Sequence, residues 1–199
     1  MHPDQFVVPA SERENVRISS KRELEQHAYI MDMLDLPKSY TAPINIHMNC
    51  YLGGGAEKLK QIADRFVREF YSMSQSVQSR LVLEVEDKQN SWSVQELYDY
   101  VYSQTNIPVT YDSHHHRCGH LSKMSAKDAC DLARSTWKNI VPLFHFSNGK
   151  SSIIDRSHSD HVYELHPELC DHRTDVDFEF KAKEAAIINF YSRKEFFIV

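Results

Sequence analysis

The sequence predicts an α/β fold of the TIM (β/α)8 type, present as a partial barrel. Three observations carry this expectation. Short apolar, β-rich runs alternate with amphipathic helical stretches, the pattern of βα units and a parallel sheet. Nearly every apolar run ends on a residue able to ligate a metal, as strand ends do when a barrel brings them to one face. No internal repeat, low-complexity stretch or linker interrupts the pattern, so residues 1–199 read as one domain. Alternation alone also fits an open doubly wound sheet; the placement of the polar residues favours the barrel.

The elements follow in order. Gln5 to Val8 forms a first short strand, and Leu24, Ala28 and Met31 then share one helical face, with His27 packed on it. A strand runs from Ile44 to Met48. Gly53-Gly54-Gly55 leads through Lys58 into a helix whose apolar face is Leu59, Ile62, Phe66 and Phe70. After a strand from Leu81 to Val85, the capping box Ser93-Val94-Gln95-Glu96 opens a helix carrying Leu97, Tyr98 and Val101. Val109 to Asp112 is the next strand, and Ser125-Ala126-Lys127-Asp128 starts the helix through Asp131 to Trp137. Strands from Val141 to Phe146 and from Val176 to Phe180 follow, and a last helix runs from Lys181 through Tyr191. That makes six strands.

Composition sets the class. With 199 residues, 41% hydrophobic and 26% charged, the chain can bury a sizeable core. No apolar run approaches the roughly 20 residues that span a bilayer, and no leader of the charged-then-apolar kind opens the chain, so a membrane protein is excluded. Cys50, Cys118, Cys130 and Cys170 form no CxxC pair, which argues against a disulfide framework or a thiolate zinc site. An intracellular protein is expected, of the cytoplasm, or of the nucleus in a eukaryote. The 23 basic and 28 acidic residues leave a net charge of −5, which argues against holding nucleic acid by bulk positive field. Bound metal would change that balance, and 12 histidines make it worth considering.

The strand-end residues are His47, Glu84, Asp112, His145 and Glu179, with His2 before the first apolar run. Singly, each reads as an ordinary polar residue. Together they make an imidazole and carboxylate set that suits Mn, Zn or Fe. The densest cluster is Asp112-Ser113-His114-His115-His116, followed by Cys118 and His120. Asp112 and His115 are the expected ligands there, and at least one neighbouring histidine should face solvent or sit behind the site. A zinc knuckle from Cys118 and His120 is the weaker alternative.

These words, taken in sequence, resemble the UV-damage endonucleases of the UvdE/UvsE type, which are related to endonuclease IV and the xylose isomerases. His2 to Val8 resembles HPdQ(Y/F), Arg80 to Asp87 resembles RLxLENDD with Val85 and Glu86 substituted, and Ile107 to His115 is similar to iPvxxDxHH. Pro142 to Ser147 resembles PKxHxS, Arg156 to Asp160 the HxD motif, and Asp177 to Glu184 mxExKxKE. The resemblance implies a site for up to three divalent ions, chiefly Mn2+ with Zn2+ as an alternative, held by His2, His47, Glu84, Asp112, His115, His145, His158 and Glu179. It implies catalytic roles for Glu84, His145 and Glu179. Gln5 and Phe6 would probe the duplex at the lesion, although a core place in the first strand is the simpler reading of Phe6. Clustered divalent ions activate water, neutralise phosphate oxygens and stabilise the leaving alkoxide. Three would add about six positive charges, enough to draw in phosphate despite the acidic chain.

Lys58, behind the glycines, and Lys181 and Lys183 are candidate phosphate contacts; a plain βα turn and a solvated helix start are the alternatives. His158 is selected by its motif over His161, and His166 and His172 read as loop residues. Two departures stand out. Leu143 occupies the place of a metal-bridging lysine, and the two βα units that open family members, with much of the third strand, have no counterpart before Met1. The expected substrate is damaged double-stranded DNA cut 5′ to cyclobutane dimers or 6-4 products, by a monomer unless another segment completes the barrel. The alternatives are an abasic-site endonuclease, a non-catalytic DNA-binding remnant and, more remotely, a sugar isomerase.

Overall fold

The computed structural model describes residues 1–50, 54–171 and 173–192. After an irregular start comes α1 (Glu14–Met33), then β1 (Ile44–His47), α2 (Gly55–Tyr71), the short α3 (Gln75–Gln78) and β2 (Leu81–Glu84). Next, α4 (Val94–Leu97) passes through a π-helical turn at Tyr98–Tyr102 into α5 (Ser103–Thr105), followed by β3 (Val109–Thr110) and α6 (Ser113–Gly119). The chain ends with α7 (Ala126–Thr136), β4 (Leu143–Phe146), a 3-10 turn at Pro167–Leu169, β5 (Asp175–Phe178) and α8 (Glu184–Ser192).

All strand pairings are parallel. β1, β2 and β3 form one sheet and β4 and β5 another. A bridge between Asp112 and His145, with His145 N donating to Tyr111 O at 3.0 Å, joins them into one curved wall. Five strands are therefore present among the described residues, not six. The segment Gln5 to Val8 is a turn. Asp4 folds it, its carboxylate accepting the Phe6 N–H at 2.9 Å and its carbonyl accepting Val7 N–H at 3.0 Å, between Pro3 and Pro9. Phe6 is consequently 76% exposed and not a core residue. Only Met1 pairs with the wall, its carbonyl accepting Asn45 N–H at 2.9 Å along the outer edge of β1.

Burial along the strands follows their position. Leu81, Val82 and Leu83 are all at 0% exposure, so both faces of β2 are covered. In β5 the acidic Asp175 and Asp177 are exposed while Val176 and Phe178 are half-buried, the alternation of an edge strand with charges that discourage further pairing. β4 starts at Leu143 rather than Val141, since Pro142 has no N–H to give a ladder. The last helix starts at Glu184, with Lys183 before it at φ 49°.

The helices bury the expected faces: Leu24, Ala28 and Met31 in α1, and Ile62, Phe66 and Phe70 in α2. His27 is half-buried, its Nδ1–H donating to Glu23 O at 2.9 Å. Ser93 and Glu96 form the full capping box, and Ser125 caps α7 through Asp128 N–H. Arg80, with no exposure at all, ties the end of α1 to β2: it donates to Asp32 Oδ1 at 2.8 Å, Leu36 O at 2.7 Å and Pro37 O at 2.9 Å. No helix among the described residues is long and apolar enough to cross a membrane.

Candidate metal centre

Paired residues of parallel strands face the same side of a sheet. The register places His47 beside Glu84 and His145 beside Asp177, while the bridge sets Asp112 beside His145. The inner face of the wall therefore collects the strand-end ligands.

Glu84 is their hub. Its Oε2 lies 3.3 Å from His2 Nε2 and 3.6 Å from His47 Nε2, and accepts a short hydrogen bond from Asn45 Nδ2. Its Oε1 lies 3.2 Å from the Nδ1 atoms of both His115 and His145, and Glu179 Oε1 lies 3.1 Å from His145 Nδ1. Two groups of ligand atoms, each within 4.8 Å of one another, result: His2, His47 and Glu84, and Glu84, Asp112, His145 and Glu179. Glu84 belongs to both.

Asp112 shows how local folding prepares a ligand. It caps α6 through Oδ1, which accepts the N–H groups of His114 at 2.7 Å and His115 at 2.8 Å. Its Oδ2 is left buried without a hydrogen-bond partner, as are Glu84 Oε1, His47 Nδ1 and His145 Nδ1. His115 and His158 stand beside these groups, their rings 5.8 Å apart. His115 Nδ1–H donates to Val85 O at 3.1 Å and His158 Nδ1–H to Glu179 O at 2.6 Å, the arrangement that orients Nε2 of each ring as a ligand.

Burial opposes charge on Glu84, His47, His115 and His145, and at three of these four the neighbouring charges outweigh it. Burial pushes the Glu84 carboxyl up, but His145 and His47 hold it well below the usual carboxylate range. Burial pulls His145 down, and the Glu84 charge and the Glu179 bond raise it well above the imidazole range. For His115, burial is outweighed by Asp112 and Glu84, and it reaches about 10. His47 is lowered by burial first, while a bond to Glu84 raises His2. The carboxylates thus favour protons on the rings around them, which a divalent cation would replace. Buried ligand atoms that lack a hydrogen-bond partner, supplied by imidazole and carboxylate and no thiolate, fit Mn, Zn or Fe.

The remaining candidates fall as follows. Successive helical residues point about 100° apart, so the three histidines diverge. His115 faces the hub, His114 meets the His158 ring at 5.2 Å, and His116 Nε2–H donates to Met124 O at 3.0 Å. All three are buried, so none faces solvent. Cys118 and His120 make no joint site: the thiol lies 3.7 Å from His114 nitrogens, and His120 Nε2–H donates to Glu86 O at 2.8 Å. His166 lies in a loop as expected but is buried there, its Nδ1 bonded to Ser113 Oγ at 2.8 Å. Gly53 and His172 lie outside the described residues. Gly54 and Gly55 take φ of 125° and 73° at the start of α2, the turn that glycine permits. Lys58 is half-buried behind them, and Lys181 and Lys183 are exposed.

Gln5 and Phe6 are exposed in the turn that follows His2, with Gln5 O accepting Asn49 Nδ2–H at 2.9 Å. Leu143 shares the inner face of β4 with His145, two residues away, and offers no ligand atom. Asn45 was not singled out by sequence, although its signal was there: it stands two residues before His47, on the same face.

A family model, UV-endonuclease UvdE, matches residues 1–196. The chain belongs to the UvdE family. Its similarity to a UV-damage endonuclease of Schizosaccharomyces pombe is 36% identity over 211 residues, covering 98% of this chain and 33% of that protein. A UV DNA damage endonuclease of Nostoc is 30% identical, over 96% of this chain and 57% of its own length. The UvdE chain thus spans a third to somewhat over half of these relatives. Among solved structures, SacUVDE superposes with a TM-score of 0.78 at 28% identity, over 98% of this chain and 65% of that one. Endonuclease IV from Thermus thermophilus matches at TM-score 0.63 and 15% identity, over 98% of this chain and 74% of its own, a likeness of fold.

Proposed function

We propose that this UvdE chain carries the metal centre of a DNA-repair endonuclease that hydrolyses the phosphodiester on the 5′ side of UV photoproducts, cyclobutane dimers and 6-4 products among them. The supporting observation is Glu84, buried at the junction of two ligand groups with one oxygen turned to each. That arrangement suits neighbouring divalent ions, and His2, His47, Glu84, Asp112, His115, His145, His158 and Glu179 are the residues that would hold them, Mn2+ being the expected metal. Bound there, the ions would supply the activated water and the charge compensation that phosphodiester hydrolysis needs.

The chain's own residues have the rest of the work. Asn45 fixes the Glu84 carboxylate, and the caps and backbone bonds of Asp112, His115 and His158 fix the neighbouring groups before substrate arrives. His145, wedged between Glu84 and Glu179, sets both carboxylates against one imidazole nitrogen. Phe6 is the exposed aromatic nearest the site in sequence and suits insertion beside a weakened base step, with the Gln5 amide able to read exposed base edges. A photoproduct has already lowered the cost of opening the duplex, so recognition can rest on deformability. Lys58 and Lys181 are assigned to backbone phosphates.

An end-labelled duplex with one defined photoproduct, incubated with the purified chain and Mn2+ beside undamaged and abasic duplexes, tests this. A metal-dependent cut immediately 5′ to the photoproduct is expected. Cutting of the abasic duplex alone would move the assignment to an endonuclease IV-like activity. Binding without cutting would favour a non-catalytic DNA-binding protein, the reading that Leu143 supports.

A further inference from the structure

A second set of histidines lies outside the barrel lumen and is used by nothing described so far. His116, on α6, and His120, just past its end, stand four residues apart with ring centroids separated by 6.2 Å. Both line a cavity of about 250 Å³ closed by Ser93, Val94, Gln95 and Glu96 at the start of α4 and by Lys123 and Met124 before α7. Their exposures are 1% and 0%.

The tautomers follow from the partners. His116 Nε2 is 3.0 Å from Met124 O, and His120 Nε2 is 2.8 Å from Glu86 O. A carbonyl only accepts, so each Nε2 carries the proton and donates. Each Nδ1 is then an unprotonated lone pair, and both Nδ1 atoms are buried with no hydrogen-bond partner. A ring whose far nitrogen donates to a backbone carbonyl is the usual form of a metal-ligating histidine. Lys123 borders the cavity with its ammonium 3.5 Å from Glu96 Oε1, which offsets part of its charge. Glu96 Oε2 remains committed to Ser93 in the capping box.

We propose that His116 and His120 hold one borderline transition-metal ion, of the Zn2+, Ni2+ or Cu2+ class, through their Nδ1 atoms, with water completing the shell. The site differs in chemistry from the lumen centre. Carboxylate-rich sites suit Mn2+, whereas a pair of neutral imidazoles suits the later transition metals. An ion here would tie the end of α6, the helix that Asp112 caps and that carries His115, to the loop leading into α7. It would support the metal centre from behind without touching substrate.

The test is a count and a spectrum. The metal-free chain is dialysed against Zn2+, and bound zinc is measured for the wild type, His116→Gln, His120→Gln and, as a lumen variant, Glu84→Gln, after near-UV circular dichroism has shown each to be folded. Each histidine variant is expected to hold one equivalent less than the wild type, and Glu84→Gln to keep that equivalent. In parallel, long-range proton–nitrogen correlation spectra of the wild type read the ring nitrogens directly. Zn2+ should shift the Nδ1 resonances of His116 and His120 and leave their Nε2–H tautomer in place. Equal zinc in wild type and histidine variants, or Nδ1 resonances unmoved by excess Zn2+, would overturn the proposal. The spectrum decides the matter if either variant fails to fold.

Discussion

Glu84 shows most directly what a single residue contributes. Buried and charged, it is tolerable only because His2, His47, His115 and His145 surround it. Replacing it by Gln removes charge from both ligand groups at once. Outer-shell changes at metal sites typically cost about 10–100-fold in affinity, so Glu84→Gln should cost more than about 100-fold in Mn2+ affinity, read by calorimetric titration. Phe6 makes the opposite case. Its ring is exposed, so Phe6→Ala should change stability by less than about 0.5 kcal/mol while reducing the preference for damaged over undamaged duplex. Loss of several kcal/mol in urea unfolding would instead place Phe6 in the core. The sequence could not separate these readings, because the turn that exposes the ring is made by one side chain, Asp4, bonding back to the Phe6 amide.

Elements were legible where local chemistry decides them. The Ser93 and Glu96 capping box could be read as written, and Ser93→Ala should cost about 1 kcal/mol by removing the acceptor for Glu96 N–H. The apolar faces of α1 and α2 were legible for the same reason, a period that needs no partner to be recognised. The ion pair behind β2 was not, since it joins residues 48 positions apart. Arg80→Met strips the Leu36 and Pro37 carbonyls of their donor, leaves Asp32 with Lys38 and Ser76, and should destabilise by about 3 kcal/mol. It also carries a pH dependence. Burial raises Asp32, but its bonds to Arg80 and Lys38 bring it down to about 2, from an ordinary value of 3.8. A depressed carboxylate stabilises above its unfolded pKa and loses that contribution as the pH falls through the folded one. The stability difference between wild type and Asp32→Asn should therefore be full above about pH 4 and shrink toward pH 2, in denaturant midpoints measured across that range. β5 shows the converse limit: its ligand-type ending was readable, but not that Asp175 and Asp177 would be left exposed at an edge.

For the molecule as a whole, a net charge of −5 argues against nucleic acid when read as a bare number. On the proposed function that number misleads, since four of the acidic and histidine ligand atoms at the site are buried and have no hydrogen-bond partner, so that bound metal would change the local charge. Metal binding should then stabilise the fold itself. With free Mn2+ at about 100 times its dissociation constant, linkage adds about 2.7 kcal/mol, so the thermal midpoint should rise with Mn2+ and fall back on dialysis against EDTA. A midpoint indifferent to Mn2+ would mean that the cluster is held together by its own protons. The barrel type was legible from strand ends because parallel strands deliver their last residues to one place. The strand count was not, because six apolar runs do not guarantee six ladders when one of them lies between two prolines.

The hydrogen bond from Asn45 to Glu84 bears on how the centre would behave during turnover. Carboxylates at multinuclear centres often swing between one-oxygen and two-oxygen grips, letting the ions drift apart or together. Glu84 lacks that freedom, because an amide from the neighbouring strand anchors one of its oxygens while the other is crowded by two imidazoles. The spacing of the ions would then be a property of the strand register between Asn45 and Val82, set when the sheet forms. On the proposed function, such a centre would act as a fixed ruler for the phosphate, and it is the DNA that would have to bend to fit.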